Sequence, residues 1–544
     1  MTAFGQSDGP TGGFSASTAG TRPSAAGVLA LIGIVVLATS VYLLTTYGRG
    51  HGVDGARYYY TADAFLRGRL NIDENAAAVG ARRGDDGHFY MQYGPGQSIA
   101  EVPWIAALRA VLHARDVSVP DRLALMRAWG PILTNTFLAA ATIAVMYLLV
   151  IQLGYRARTA AVMALLVAFT TPLWNYARLD FSEPLQCFLI LAAYWRIVCA
   201  RPSAFLASAL GAGLAIGGLV LTKAVFVLVA PIAWLALLWR VRPWEFGRIT
   251  RVTLAFGAPV AISGVIYLAW NFARFGAAFD FGYNESFDTP LLAGLYGLFF
   301  SSGKSVFLYA PVILAALFAI PHFARRHRAE LVVIFALSAP VVCVYAAFWA
   351  WHGDWSWGPR YMLPFMALWM LPVATVVDSG GRVWRGAIAA LALLGVYVQV
   401  LGVAINAGTY LNLHATQVAP KAHDGQKLVI EQAQIDVHFV PEFSPLAGHW
   451  WLLKAVVEKW RDPGKSIEQF DALRDTPWFR PGREQWRPEH LEQALILDLW
   501  LADPPREMGP DAVRRIALPL LVLAVLGLLM TVTGMLALTR RNIA

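Results

Sequence analysis

Long, nearly uncharged apolar runs constrain this chain more than any other feature. Blocks of about 17 to 25 apolar residues, each able to cross a hydrocarbon layer roughly 30 Å thick, recur along it. They lie near 26–47, 127–153, 159–176, 184–200, 204–221, 224–239, 252–271, 304–321, 331–350, 361–377, 386–407 and 516–539, about twelve in all by the length a bilayer demands. With 57% hydrophobic and 15% charged residues among 544, the composition is far from that of a soluble protein. The expected fold is an all-α polytopic membrane protein.

The arginines orient it, because short cytoplasmic connections collect Lys and Arg. With the N-terminus inside, the cytoplasmic turns receive Arg156 and Arg158, Arg201, Arg240 to Arg251, Arg325 to Arg328, and Arg382 with Arg385. Both termini are then cytoplasmic, and the net charge of +9 reads as topology rather than as a nucleic-acid surface. Residues 1–25, rich in Gly, Ser and Thr, are expected to be a disordered cytoplasmic tail. Residues 26–407 form a transmembrane module with a long exterior loop at 48–125. Residues 408–515 form a helix-rich exterior segment, and 516–544 carry the last crossing and a cytoplasmic tail. Cys187, Cys199 and Cys343 all fall inside spans without paired spacing, so they read as packing residues.

The chemistry-bearing residues gather on the exterior side. Asp54 opens "VDGARYYYTADAF", ahead of a helix expected from Gly55 to Leu66. It can serve as an N-cap, or as a general base screened by Tyr58 and its neighbours. "YGPGQSIAEVPW" follows, with Tyr93 before a Gly-Pro-Gly turn and an interfacial helix from Gln97 to His113. "FSEPL" sits among Asp180 and Glu183, which either cap the helix that begins at Pro184 or supply a second acidic group. Lys223, in "LTKAVFVLVAP", and His352, Arg360 and Tyr361, in "WHGDWSWGPRYMLP", stand at the same level. A cation at a helix end can snorkel to water, but the positive-inside rule does not account for Lys223 or Arg360 here. An anionic lipid phosphate does, with Arg as a fork and Lys as a point charge. Asp85, Asp86 and His88 invite a metal reading, which Asp86-Gly87 turns into a hairpin signal instead. A divalent metal is not indicated, and no glycine loop for a nucleotide follows any strand.

Taken in this order, the five motifs resemble the GT-C superfamily of glycosyltransferases that use polyprenyl-linked sugars. The resemblance, over Val53 to about Pro372, is strongest to the branch of protein O-mannosyltransferases and lipid A aminoarabinose transferases (glycosyltransferase family 39-like). It implies transfer of a sugar, with inversion, from a polyprenyl phosphate to an envelope glycan, glycolipid or protein on the outer face of a bacterial cytoplasmic (inner) membrane. It places the catalytic aspartate on Asp54 and a second acidic function on Asp180 or Glu183. Lys223 and Arg360, with Tyr361 and His352 beside them, would hold the donor phosphate, and Tyr58 and Tyr93 would touch substrate. Many members carry two adjacent acids at the first position, whereas Asp54 is followed by Gly55. Two rival classes remain open on the sequence: a secondary transporter, which would place ionisable groups near the midplane, and a non-catalytic lipid-binding envelope protein.

Overall fold

The structure is a computed structural model that describes residues 24–50, 52–72, 80–201, 203–283, 285–353, 355–418, 434–466, 469–474, 476–477, 491 and 495–540. Nearly all of the tail expected at 1–25 therefore lies outside the described residues, as does much of the 408–515 segment.

Helix α1 (Ala25–Leu44) runs antiparallel to the last helix, Pro510–Arg540. Ala30 lies beside Gly534, Gly33 beside Thr531 and Leu37 beside Gly527, the close approach that small residues permit between membrane helices. The described chain ends thus share one end of the molecule. Between them come α2 (Val53–Leu66), α3 (Gly96–Ala114), α4 (Val119–Gln152), α5 (Ala157–Thr170), α6 (Leu173–Ala177), α7 (Glu183–Val198) and α8 (Phe205–Thr222).

Among the described residues eight helices are long and apolar enough to cross a bilayer, fewer than the twelve or so expected. Two features account for the difference. The spans expected at 159–176, 184–200 and 224–239 are shorter helices or helix pairs: α5, α7 and Ala224–Arg240. Those expected at 304–321 and 331–350 are joined in Val312–Ala347, which leaves helical geometry only at His327 (φ −130°, ψ 42°). The chain folds back there. Ile313 and Val342 line one apolar cavity, although a straight helix rising 1.5 Å per residue would hold them about 43 Å apart.

The arginine-bearing turns converge at one end. Arg240 pairs with Glu330 at 3.3 Å and donates to the Val198 carbonyl. Arg326 reaches the Gly154 carbonyl, and Arg156 pairs with Asp378 at 2.9 Å. Glu183 and Val198 are opposite ends of α7, about 22 Å apart at 1.5 Å per residue. The acidic groups singled out in the sequence therefore lie a helix length away from the arginine end.

The first long loop folds as its turn residues dictate. α2 stops before Gly68 (φ +68°), and strands β1 (Arg82–Arg83) and β2 (Phe89–Tyr90) pair around Gly87 (φ +83°). Asp86 is occupied by that hairpin: its carboxylate accepts from the His88 amide at 3.0 Å and from the Tyr90 hydroxyl at 2.6 Å. In the described parts of the 408–515 segment, helix Pro445–Arg461 packs Leu452 and Val456 with Tyr410, Phe443 and Leu473. The segment is pinned to the rest by an ion pair between Arg178 and Asp498 (2.5 Å), each 2% exposed or less.

Candidate active site

Each wall of the site begins with a local reason for its position. The amide of Ala56 donates to the Gly52 carbonyl, so α2 starts at Val53 with Gly52 as its N-cap. Asp54 is therefore inside the first turn and is not the cap. Its carboxylate turns away from the helix backbone to side chains of other elements. Oδ1 accepts from the Tyr93 hydroxyl at 2.5 Å, and Oδ2 accepts from Arg360 Nη1 at 3.0 Å. A first-turn position still favours negative charge, since the helix dipole points its positive end there.

Gly55 explains why no second acid follows Asp54. A Cβ at this position would stand 1.9 Å from Cγ and Oδ2 of Asp180, so the carboxyl of Asp180 fills the space a side chain at 55 would need. Asp180 is itself fixed from behind, because Asn135 Nδ2 donates to the carbonyls on either side of it, Leu179 at 2.8 Å and Phe181 at 2.6 Å.

The Gly-Pro-Gly turn has a similar explanation. A Cβ on Gly94 would lie 2.3 Å from the Leu221 carbonyl, and one on Gly96 2.6 Å from Thr222 Oγ1. The turn is thus seated on the last residues of α8, which delivers Tyr93 beside Lys223. The turn that leads into Arg360 is held by Lys304, a buried lysine whose ammonium donates to the carbonyls of Ser356 (2.9 Å) and Gly358 (3.3 Å).

These elements enclose a cavity of about 500 Å³. Asp54, Tyr58, Tyr93, Glu183, Lys223, Arg360 and Tyr361 all line it. Lys223 Nζ lies 3.4 Å from Glu183 Oε1 and over the rings of Tyr361 and Tyr345, which stack at 4.3 Å. The Arg360 guanidinium sits between the faces of Phe181 and Tyr361, 5.0 Å from each ring centre. The ring of Tyr58 packs at a 31° tilt against Tyr93, and its hydroxyl donates to Ser182 Oγ at 3.1 Å. Two of the residues singled out in the sequence are not on this wall. Asp180 lies behind α2, and the ring of His352 stacks on His438 at 4.8 Å, away from the cavity.

The electrostatics follow from this arrangement. Desolvation pushes the Asp54 carboxyl up, but the charge of Arg360 and the hydrogen bonds from Tyr93 and Arg360 outweigh it and hold the group below the usual carboxylate range. The same contact works in reverse on Tyr93, whose hydroxyl is driven up by burial and by the Asp54 charge. Tyr93 thus stays a proton donor to Asp54.

The structure also adds residues that the sequence did not point to. Arg57, one turn after Asp54, donates to the Tyr93 hydroxyl at 2.8 Å; its i, i+3 spacing from Asp54 was the available signal. Tyr345 lines the cavity as well and carries no local signature. Phe281, Tyr283 and Phe287 bring to the rim the stretch Phe279 to Asp288, which the sequence offers either as part of an acceptor path or as a solvated loop.

No protein-family model matches the sequence, and no curated protein matches it. Among solved structures the chain is similar to an oligosaccharyltransferase from Archaeoglobus fulgidus in its apo form, at 12% identity and a TM-score of 0.48, over 74% of this chain and 59% of that one. It is also similar to ArnT from Cupriavidus metallidurans bound to undecaprenyl phosphate, at 14% identity and a TM-score of 0.45, over 94% of this chain and 78% of that one. The chain thus spans about three fifths of the oligosaccharyltransferase it matches. Both TM-scores are below 0.5, so no residue role passes from those proteins to this chain.

Proposed function

We propose that this protein is a membrane glycosyltransferase that moves a sugar from a polyprenyl-phosphate donor to a hydroxyl acceptor on the face opposite its arginine-rich turns. The observation that carries this reading is the cavity itself: the partly sheltered carboxylate of Asp54 faces the same 500 Å³ space as the cations Lys223 and Arg360. Direct displacement at an anomeric carbon needs that pairing. Asp54 takes the proton from the acceptor hydroxyl as the new C–O bond forms, while the two cations stabilise the phosphate that leaves with the bonding electrons. Residues 26–407 are the catalytic module, and the described parts of 408–515 brace it from the exterior side. We assign that side to the outer face of a bacterial inner membrane, with both termini in the cytoplasm and an envelope glycan, glycolipid or protein as acceptor. Asp180 positions the first turn of α2, and Glu183 holds Lys223. Tyr58 and Tyr93 supply ring faces and hydroxyls for a sugar.

The test is Asp54→Asn in the purified protein, supplied with a panel of polyprenyl-phosphate sugars and membrane-extracted acceptors. General-base assistance is typically worth about 10² to 10⁴ in rate, so transfer should fall by that factor with unchanged folding. Asp63→Asn, on the same helix but paired with Arg67 and Arg109, should stay active. A fully active Asp54→Asn protein would falsify the base assignment.

A further inference from the structure

Among the described residues three cations line the cavity: Arg57 donates to the Tyr93 hydroxyl and lies 3.9 Å from Asp54, while Lys223 and Arg360 are each engaged by a carboxylate and neither is well satisfied. Lys223 meets Glu183 at 3.4 Å, longer than the roughly 2.7–2.9 Å of a strong ammonium–carboxylate hydrogen bond. Glu183 is 1% exposed, and its other oxygen, Oε2, has no hydrogen-bond partner among the described residues. Arg360 carries five donors in a fixed fork. It gives one to Asp54 at 3.0 Å and one to the Tyr361 hydroxyl at 3.3 Å, while its buried Nε has no partner among the described residues. A buried donor without an acceptor is costly. A phosphate ester would bring several acceptor oxygens to both cations at once, whereas each carboxylate reaches only one of them.

We propose that Asp54 and Glu183 are stand-in anions for the lipid phosphate: they neutralise Arg360 and Lys223 in the empty cavity and surrender them when the donor binds. This rests on the reading of Lys223 and Arg360 as phosphate ligands. The exchange has a mechanistic consequence. With Arg360 drawn to the phosphate, Oδ2 of Asp54 loses its hydrogen bond and is free to accept the proton of an acceptor hydroxyl, while Tyr93 still holds Oδ1. The base is therefore released by the donor, so the donor binds before the acceptor. Without a donor, the proton-accepting oxygen stays tied to Arg360, and neither water nor an acceptor is activated.

Competition gives a signature that a simple cluster of cations does not. Removing a stand-in charge should tighten binding of the phosphate, and only through the cation it masks. The probe is a polyprenyl monophosphate in detergent, titrated calorimetrically into the purified full-length protein, with the matching polyprenol as the uncharged control. Asp54→Asn should bind the monophosphate about tenfold tighter than wild type, a coupling of about 1.4 kcal/mol. The gain should vanish when Asp54→Asn is made in an Arg360→Gln background. Glu183→Gln should tighten binding in the same way, and Lys223→Gln should cancel that gain. Unchanged affinity in Asp54→Asn and Glu183→Gln overturns the exchange. So does a gain that persists in the Arg360→Gln background, since long-range charge alone would then suffice. Neither result touches the base assignment, which is read from transfer. If the wild-type protein bound the monophosphate no better than the polyprenol, the phosphate reading itself would fall, and the exchange with it.

Discussion

Replacing Gly55 with alanine adds one methyl group at the most crowded point of the site, and the structure fixes what must follow. The new Cβ would lie 1.9 Å from Cγ and Oδ2 of Asp180 and 2.4 Å from its Cβ. Non-bonded carbon atoms prefer about 3.5 to 4.0 Å, so one partner has to retreat by about 1.6 Å or more. Asp180 has little freedom, because Asn135 clamps the carbonyls on both sides of it. The first turn of α2 is the end of a helix and gives way more easily, carrying Asp54 with it and opening the 3.0 Å contact to Arg360. A misplacement of about 1 Å can cost roughly 10²-fold in rate. Stability should change much less: alanine improves helix propensity over glycine by about 1 kcal/mol, against about 1 to 3 kcal/mol for overpacking. The expected signature is therefore a loss of about two orders of magnitude in kcat with a change in Tm of only a few degrees. Release of polyprenyl phosphate from the donor reads the first, and tryptophan fluorescence during heating reads the second. Asp180→Gly in the same chain, which removes the Cβ at 2.4 Å together with the carboxyl, should relieve the clash and recover part of the activity, whereas Gly264→Ala, where a Cβ meets nothing within 4 Å, should be silent. A Gly55→Ala protein that turns over at the wild-type rate would refute the view that Asp180 and α2 together set the place of Asp54.

Three further outcomes follow from contacts around the site. Arg178→Leu leaves Asp498 buried without its partner, so it should cost about 3 to 5 kcal/mol, seen as a lower Tm in detergent; Arg178→Leu with Asp498→Leu should recover only part of it, because Arg178 also donates to the carbonyls of Thr45 and Asp498. Lys304→Met strands the Ser356 and Gly358 carbonyls beneath Arg360, and should raise KM for the donor more than it lowers kcat, a split that mere loss of folded protein would not produce. Because Asp54 is held below the usual carboxylate range, its charge contributes above its unfolded value of about 3.9 and is lost only as pH falls through the lower folded value. The profile of kcat/KM should then show no acid limb from Asp54 above about pH 4, and Arg360→Gln should move that limb upward.

How far the sequence reached depended on the distance over which each signal acts. The hairpin at Gly84 to Gly87 was legible because Asp86-Gly87 is a local turn signal, and it formed where expected. The apolar blocks gave an all-helical membrane protein, and the arginines at 325 to 328 marked the turn at which Val312–Ala347 reverses near His327, but hydropathy cannot report that α7 is only 16 residues long. His352 was grouped with Arg360 through proximity in the chain. Between them Gly353 (φ +57°) and Gly358 (φ +64°) turn the backbone, and the histidine ends against His438 instead.

Asp54 illustrates the other limit. A cap and a base have the same local sequence, and what separates them is a tyrosine 39 residues away and an arginine 306 residues away, neither visible in any local pattern. The adjacent Gly55, which read as a departure from an acidic pair, is the residue that lets Asp180 approach from another helix connection. Local sequence could therefore nominate the acidic groups of this site. Their division of labour, with Asp54 and Glu183 facing the cavity and Asp180 packed behind α2, depends on how α2 meets the 178–182 bend.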